Sequence, residues 1–168
     1  MPLTRVKTPA LSQGSSFLTS ITASDLPSVP TFMLTTTGSH TVTNNSTYTV
    51  PLTVKTIDTH NLLDTSDYAV KFTAATAGTY FITGRVRLLY SPTRLNVRLD
   101  VNNSAIVYHG ETTNANVGSG SYQSCAASMI HTFSSGDELK LKMYFLATGN
   151  QSLYGGDSTS LHGLRIST

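Results

Sequence analysis

The sequence predicts an all-β protein, a sandwich or barrel of about eight to ten short strands joined by polar turns. Three observations predict it. Small hydroxyl residues fill 48 of 168 positions (27 Thr and 21 Ser), while charged residues make up only 12%, about half the usual share. A helical bundle would need Ala, Leu, Glu and Lys in their place, whereas this composition suits strands. Apolar residues alternate with polar ones through the centre of the chain, the period of a half-buried strand. Clusters of Gly, Asn, Asp and Ser recur at roughly strand-length spacing.

Residues 1–29 stand apart. They are rich in Ser, Thr and Pro, and their apolar residues, among them Leu3, Val6, Phe17, Leu18, Ile21 and Leu26, keep no sustained period. The segment reads as an extended arm that docks on a partner, because a plain linker needs no Phe or Ile. Residues 30–168 read as one head domain. Thr31–Thr35 is its first short strand, and Thr36–Asn45 is a polar stretch. Pro51 divides Tyr48–Val50 from Leu52–Val54, which suits an edge or a bulge. Asp64–Asp67 is a turn, and Tyr68–Phe72 alternates as a strand.

From Gly78 the alternation is sustained. Tyr80, Ile82, Gly84, Val86 and Leu88 form one row, and Phe81, Thr83, Arg85, Arg87 and Leu89 form the other. Leu95, Val97, Leu99 and Val101 continue the inward pattern, with Arg94, Asn96, Arg98 and Asp100 outward. Asn102-Asn103 is a tight turn into Ala105–Tyr108, since Asn tolerates positive φ. Residues 110–121 read as a long loop. Cys125, Ala127, Met129, His131 and Phe133 share a face, and Ser134–Asp137 turns the chain into Leu139, Leu141, Met143 and Phe145. Thr148–Ser160 reads as a second loop, and Leu161–Ile166 as a last short strand.

Several function classes are disfavoured. A net charge of +2 is too weak to argue for nucleic acid, and no apolar run is long enough to cross a membrane as a helix. No basic-then-apolar leader opens the chain, and the lone Cys125 rules out an intrachain disulfide framework. The sequons at Asn44, Asn45, Asn102 and Asn150 are expected by chance in so Ser/Thr-rich a chain. The five histidines form no HxH or HxxxH pair, no Gly-x-Ser-x-Gly elbow occurs, and Cys125 sits among small residues with nothing to activate it. The nine acidic residues do not cluster beyond Asp64 and Asp67, so no calcium site is expected. The expectation is a protein without catalytic residues, metal or cofactor. Arg85, Arg87, Arg94 and Arg98 lie on outward rows of neighbouring strands, where solubility and edge protection are their commoner use and a basic stripe is the alternative.

Three segments in order resemble the C1q/tumour-necrosis-factor family: Phe72 with Gly78-Thr79-Tyr80, the Leu95–Asn103 hairpin strand, and Phe133-Ser-Ser-Gly-Asp-Glu-Leu-Lys-Leu141, followed by the terminal Gly163-Leu164. The resemblance covers about residues 30–168. It implies a jelly-roll β-sandwich that assembles as a homotrimer around a threefold axis. Phe81, Leu89 and Tyr144 are then candidates for burial between subunits, because they would otherwise be exposed apolar side chains. His131 is a further candidate, packed or facing the axis.

The arm has a looser resemblance. Met-Pro-Leu-Thr-Arg-Val-Lys, followed by Ile21-Thr-Ala-Ser-Asp-Leu-Pro27, looks like the start of phage tail-fibre and virion-surface proteins. That resemblance implies a trimer attached to a particle by its N-terminal peptide. The expected role is a virion-surface protein, a capsid decoration or cement protein, docked on a capsid or tail protein through residues 1–29. The alternatives are a tail-fibre tip and a cellular ligand- or carbohydrate-binding module. Tyr108, His109, Glu111, Tyr122 and Tyr154 lie in or beside the two loops and are the candidates for contact with a host-surface glycan or protein, tyrosine being a favoured recognition residue.

Overall fold

In the computed structural model, which describes residues 29–89, 92–109 and 122–168, every regular element is a strand. In chain order these are β1 (Thr31–Thr36), β2 (His40–Val42), β3 (Thr47–Thr49), β4 (Val54–Asp58), β5 (Leu63–Asp64), β6 (Ala69–Lys71), β7 (Gly78–Leu89), β8 (Arg94–Val101), β9 (Ser104–His109), β10 (Tyr122–Phe133), β11 (Glu138–Leu146), β12 (Gln151–Leu153) and β13 (Gly156–Ser167). They form two antiparallel sheets. In the seven-stranded sheet, β7 pairs with β10 along its whole length on one side. On its other side it pairs with β13 and, at its end, with β12. β13 pairs with β1, β1 with β4, and β12 with β2. In the six-stranded sheet β11 is central, with β8 and then β9 on one side and β3 and β6 on the other, and β5 beyond β6.

Local chemistry explains the fixed points. Asn102 and Asn103 both take left-handed φ (52° and 64°), so a two-residue turn matches the twist of β8 and β9. Alternation along β7 is complete: Tyr80, Ile82, Val86 and Leu88 are fully buried, and the other row is at least partly exposed. Slipping this strand by one residue would bury Arg85 and Arg87, so the register is unique. Between the sheets lie Phe72 and Phe133, stacked at 4.0 Å, with Tyr80 edge-on to both and its hydroxyl donating to the Thr76 carbonyl at 2.5 Å. Gly84 on one sheet faces Leu141 and Leu99 of the other at close range. A Cβ there would lie 2.6 Å from Leu141 Cδ1 and 3.1 Å from Leu99 Cδ2.

The described residues form thirteen strands, three of them twelve residues long, where eight to ten short ones were expected, and the strand expected at Leu52–Val54 instead runs from Val54 to Asp58. The structure departs from the sequence reading in five further places. The stretch Thr36–Asn45 contains β2. Pro51 is buried where the chain leaves β3 in one sheet for β4 in the other, so it marks a crossing between sheets. Most of 148–160 is strand: β12 and the start of a twelve-residue β13, which is paired on both sides by β1 and β7. Thr159 and Ser160 are buried there, and the Thr159 hydroxyl donates to the Tyr154 carbonyl at 2.6 Å and accepts from the Arg87 amide at 3.2 Å. Hydroxyl-rich composition suggested a loop, but these internal bonds satisfy the buried oxygen. Asn96 and Asp100, expected outward, are buried, and Asp100 is covered by Arg98 and Lys142. Finally, β7 and β8 belong to different sheets, so Arg85 and Arg87 form no single stripe with Arg94 and Arg98.

Candidate functional site

The outer face of the seven-stranded sheet changes character along its strands. Strand pairing sets Ile130, Phe81 and Leu164 side by side on β10, β7 and β13. The next row holds Ser128, Thr83, His162 and Met33, with Ile57 beyond on β4. Ile130 is 66% exposed, and Phe81, Leu164 and Ile57 are each close to half exposed. Phe81, Leu164, Met33, Ile57 and His162 line an open groove of about 280 Å³, whose floor is Gly163 with the Phe32 ring against it. A Cβ at Gly163 would lie 2.2 Å from Phe32 Cζ, so no side chain fits there. The His162 imidazole bonds Ser160 Oγ at 2.9 Å, and burial pushes its pKa below the ordinary value, against a smaller opposing pull from Asp157.

Further along the same face the row is Ala126, Arg85 and Ser160, and then the polar end begins. There the Arg87 guanidinium lies 4.0 Å from the Tyr122 ring centroid and 5.5 Å from that of Tyr154. The two tyrosines meet edge to face at 5.2 Å and 71°. Arg87 Nη1 donates to Ser158 Oγ at 3.2 Å, and the Tyr154 amide donates to the Arg87 carbonyl at 2.7 Å. Both tyrosines remain exposed, at 44% and 39%. Phe81 and Arg87 are six positions apart on β7, which at ~3.3 Å per residue separates the apolar and aromatic-cationic ends by about 20 Å.

The residues singled out from sequence are divided by the fold. Phe81 and Leu89 lie on this outer face. His131 does not: it falls in the inward row of β10, its ring edge-on to Phe133 at 4.8 Å. Tyr144 is on the other sheet, where its hydroxyl donates to Asn45 Oδ1 at 2.6 Å and the Arg94 guanidinium lies 5.9 Å from its ring. The four therefore do not make one surface. Tyr122 and Tyr154 do come together, although 32 positions apart in the chain. Tyr108 and His109 end β9 at the edge of the six-stranded sheet, opposite Arg98 and Val97. Glu111 and the arm residues Leu3, Val6, Phe17, Leu18, Ile21 and Leu26 lie outside the described residues.

Sequence reasoning missed Ile130, Leu164, Met33 and Ile57 on the apolar end, and Arg87 and Ser158 as partners of the tyrosines. The available signal was Ile130, a single large apolar residue in the row Ser124, Ala126, Ser128. Asp64 and Asp67, read as turn residues, are joined by Glu138 around the Lys71 ammonium at 2.8, 3.0 and 3.4 Å, so a lysine bridges these three carboxylates. Burial pushes the Cys125 thiol above its ordinary pKa, which keeps it protonated.

No protein-family model matches the chain, and no curated protein sequence does. Solved structures do. The Eiger TNF of S. frugiperda superposes with a TM-score of 0.64 at 12% identity, over 83% of this chain and 93% of that one. Murine APRIL superposes with a TM-score of 0.60 at 12% identity, over 83% and 100%. The globular domain of zebrafish complement 1qA superposes with a TM-score of 0.55 at 13% identity, over 82% and 97%. At such identities the likeness speaks to architecture alone, and the architecture of this chain is the TNF/C1q-type jelly roll.

Proposed function

We propose that this protein is a non-enzymatic homotrimeric head on the surface of a phage virion, serving as a capsid decoration protein and held on the particle by residues 1–29. The observation that carries the reading is the apolar end of the seven-stranded sheet. Ile130, Phe81, Leu164, Met33 and Ile57 form a contiguous patch that a single copy leaves in water. Ile130 projects from the edge strand β10, whereas the groove lies toward β1 and β4. A knob and a groove at different places make a head-to-tail contact, which closes into a ring only when the rotation between copies is a whole fraction of a turn and otherwise runs on as a filament. The TNF/C1q-type architecture supports three copies in that ring.

The particle end of the proposal is supported by the arm's composition and its resemblance to virion-surface proteins. Phe17, Leu18 and Ile21 would be its main anchors on a capsid or tail protein. The arm leads into the head through Val29, which is half-exposed just ahead of β1. Three arms per trimer would add their weak contacts into a stable attachment. A second reading, a receptor-binding head at a tail-fibre tip, is favoured by the exposed Arg87–Tyr122–Tyr154 group, because Tyr and Arg dominate recognition hot spots.

Two measurements test the proposal. Light scattering should give the mass of three chains for the full protein and of one for the Phe81→Glu/Ile130→Glu variant. A monomeric parent would remove the assembly. Gold-labelled antibody to residues 30–168 should decorate phage heads at high copy, and deletion of residues 1–29 should abolish attachment while leaving the trimer. Label confined to a few tail positions would select the receptor-binding reading, and normal attachment of the truncated head would overturn the anchoring role.

A further inference from the structure

We infer that the corner formed by Arg87, Tyr122, Tyr154 and Ser158 is a binding site for a carboxylate-bearing saccharide. This deepens the receptor-binding reading and rests on the protein being a binding head. The first part of the argument is charge. The Arg87 guanidinium lies over the Tyr122 ring, its carbon 4.0 Å from the centroid, and gives one N–H to Ser158, and no ion pair joins it to a carboxylate among the described residues. Lys55, Lys71, Lys140, Lys142 and Arg98 each have an acidic partner, and what distinguishes Arg87 from Arg85 and Arg165, which among the described residues also have none, is its place against two exposed tyrosine rings. A guanidinium held on an aromatic face keeps its remaining N–H groups in one plane, which matches the two oxygens of a carboxylate.

The second part is shape and surroundings. Two exposed tyrosine rings at 71° present a flat wall and an edge, and a pyranose can lay its C–H face on the wall. The border is made of hydroxyls: Ser124, Ser152 and Ser158 on β10, β12 and β13. Such a rim suits the many hydroxyls of a sugar. An acidic peptide would need an apolar recess for its neighbouring side chains. The apolar groove of this sheet lies about 20 Å away at the other end. An open corner of this size gives weak single-site affinity, which repetition around a ring and over a particle would multiply.

The test is a titration of the isotope-labelled full-length protein, followed by NMR, with sialyllactose, with lactose, and with an N-acetylated glutamyl peptide. Sialyllactose should give saturable shifts centred on the Tyr122 and Tyr154 signals, and lactose should bind at least about tenfold more weakly, the loss expected for one charge-assisted hydrogen bond. Arg87→Met and Tyr154→Ala should each cost about tenfold or more, while Arg87→Lys, which keeps charge but not the planar fork, should fall between. A thermal melt of each variant separates loss of binding from loss of fold. Equal binding of lactose and sialyllactose, tighter binding of the peptide, or no saturable shift with any probe each overturns the inference. Such a failure leaves the particle-labelling result untouched, and a failure of labelling leaves this titration untouched, so the two are distinguishable.

Discussion

Replacing Asp100 by Asn should be among the most damaging single-atom-scale changes to this head. The Asp100 side chain has no exposure, and its carboxylate accepts from Arg98 Nε at 2.9 Å and Nη2 at 2.7 Å and lies 2.9 Å from Lys142 Nζ. Arg98 and Lys142 are themselves largely covered, at 21% and 16% exposure. An asparagine is nearly isosteric, so packing changes little. Its amide, however, removes the negative charge and turns one acceptor into a donor that faces the cations. Two like charges are then left across neighbouring strands, directly opposite each other at Arg98 and Lys142. Breaking a buried charge group by removing one partner costs about 3–5 kcal/mol. For a domain of this size that is about 6–20 °C in melting temperature. The assay is thermal and urea unfolding at fixed protein concentration, because self-association would add a concentration dependence. A triple variant, Asp100→Leu with Arg98→Met and Lys142→Met, removes the charges together and should recover most of the loss. A loss below about 1 kcal/mol for Asp100→Asn would refute the reasoning, since that is the value of an exposed pair. A triple variant less stable than the single one would refute it equally.

Three further outcomes are expected. Gly84→Ala forces a Cβ against Leu141 and Leu99 and should cost about 1–3 kcal/mol by overpacking, measured by urea unfolding; a neutral effect would mean that the sheets can part there without loss. Burial holds His162 below its ordinary pKa, so folding favours the neutral ring: that contribution is complete above the unfolded value of about 6.5 and is lost as pH falls through the lower folded value. Melting temperature should therefore fall on acidification in that range, and His162→Gln should flatten the slope; an unchanged slope would show that the ring is not the titrating group. The Lys71 ammonium, then Ser66, hold Asp64 well below the usual carboxylate range, and the Asn102 amide, then the Ser134 N–H, hold Asp137 low. Their stabilisation is present above about pH 4 and is lost as pH falls further, so Asp64→Asn with Asp137→Asn should weaken the acid dependence of unfolding, a result that a pH series of urea midpoints would confirm or deny.

Alternation is a local property, and it carried the reading as far as local properties reach. The inward row of β7, the hairpin through Asn102 and Asn103, and the run from Leu139 to Phe145 were all legible, because side chains in a strand take opposite sides whatever the strand pairs with. The same period cannot say which strands are neighbours. Arg87 and Arg94 are seven positions apart, yet they stand on different sheets, while Arg87, Tyr122 and Tyr154 converge from distant parts of the chain. The apolar patch is likewise assembled from single residues of β1, β4, β7, β10 and β13: Phe81 and Ile130 stand out in their own strands, but only the pairing shows that they share a surface with Met33, Ile57 and Leu164. Composition misled where tertiary partners satisfied polar groups: Thr159 bonds into the backbone of a central strand, and Asp100 is covered by two cations. The amino-acid order thus dictated the strands and which side of each faces inward. Pairing between distant strands dictated the surfaces, since a surface is set by register across a sheet and by the long-range contacts that hold it.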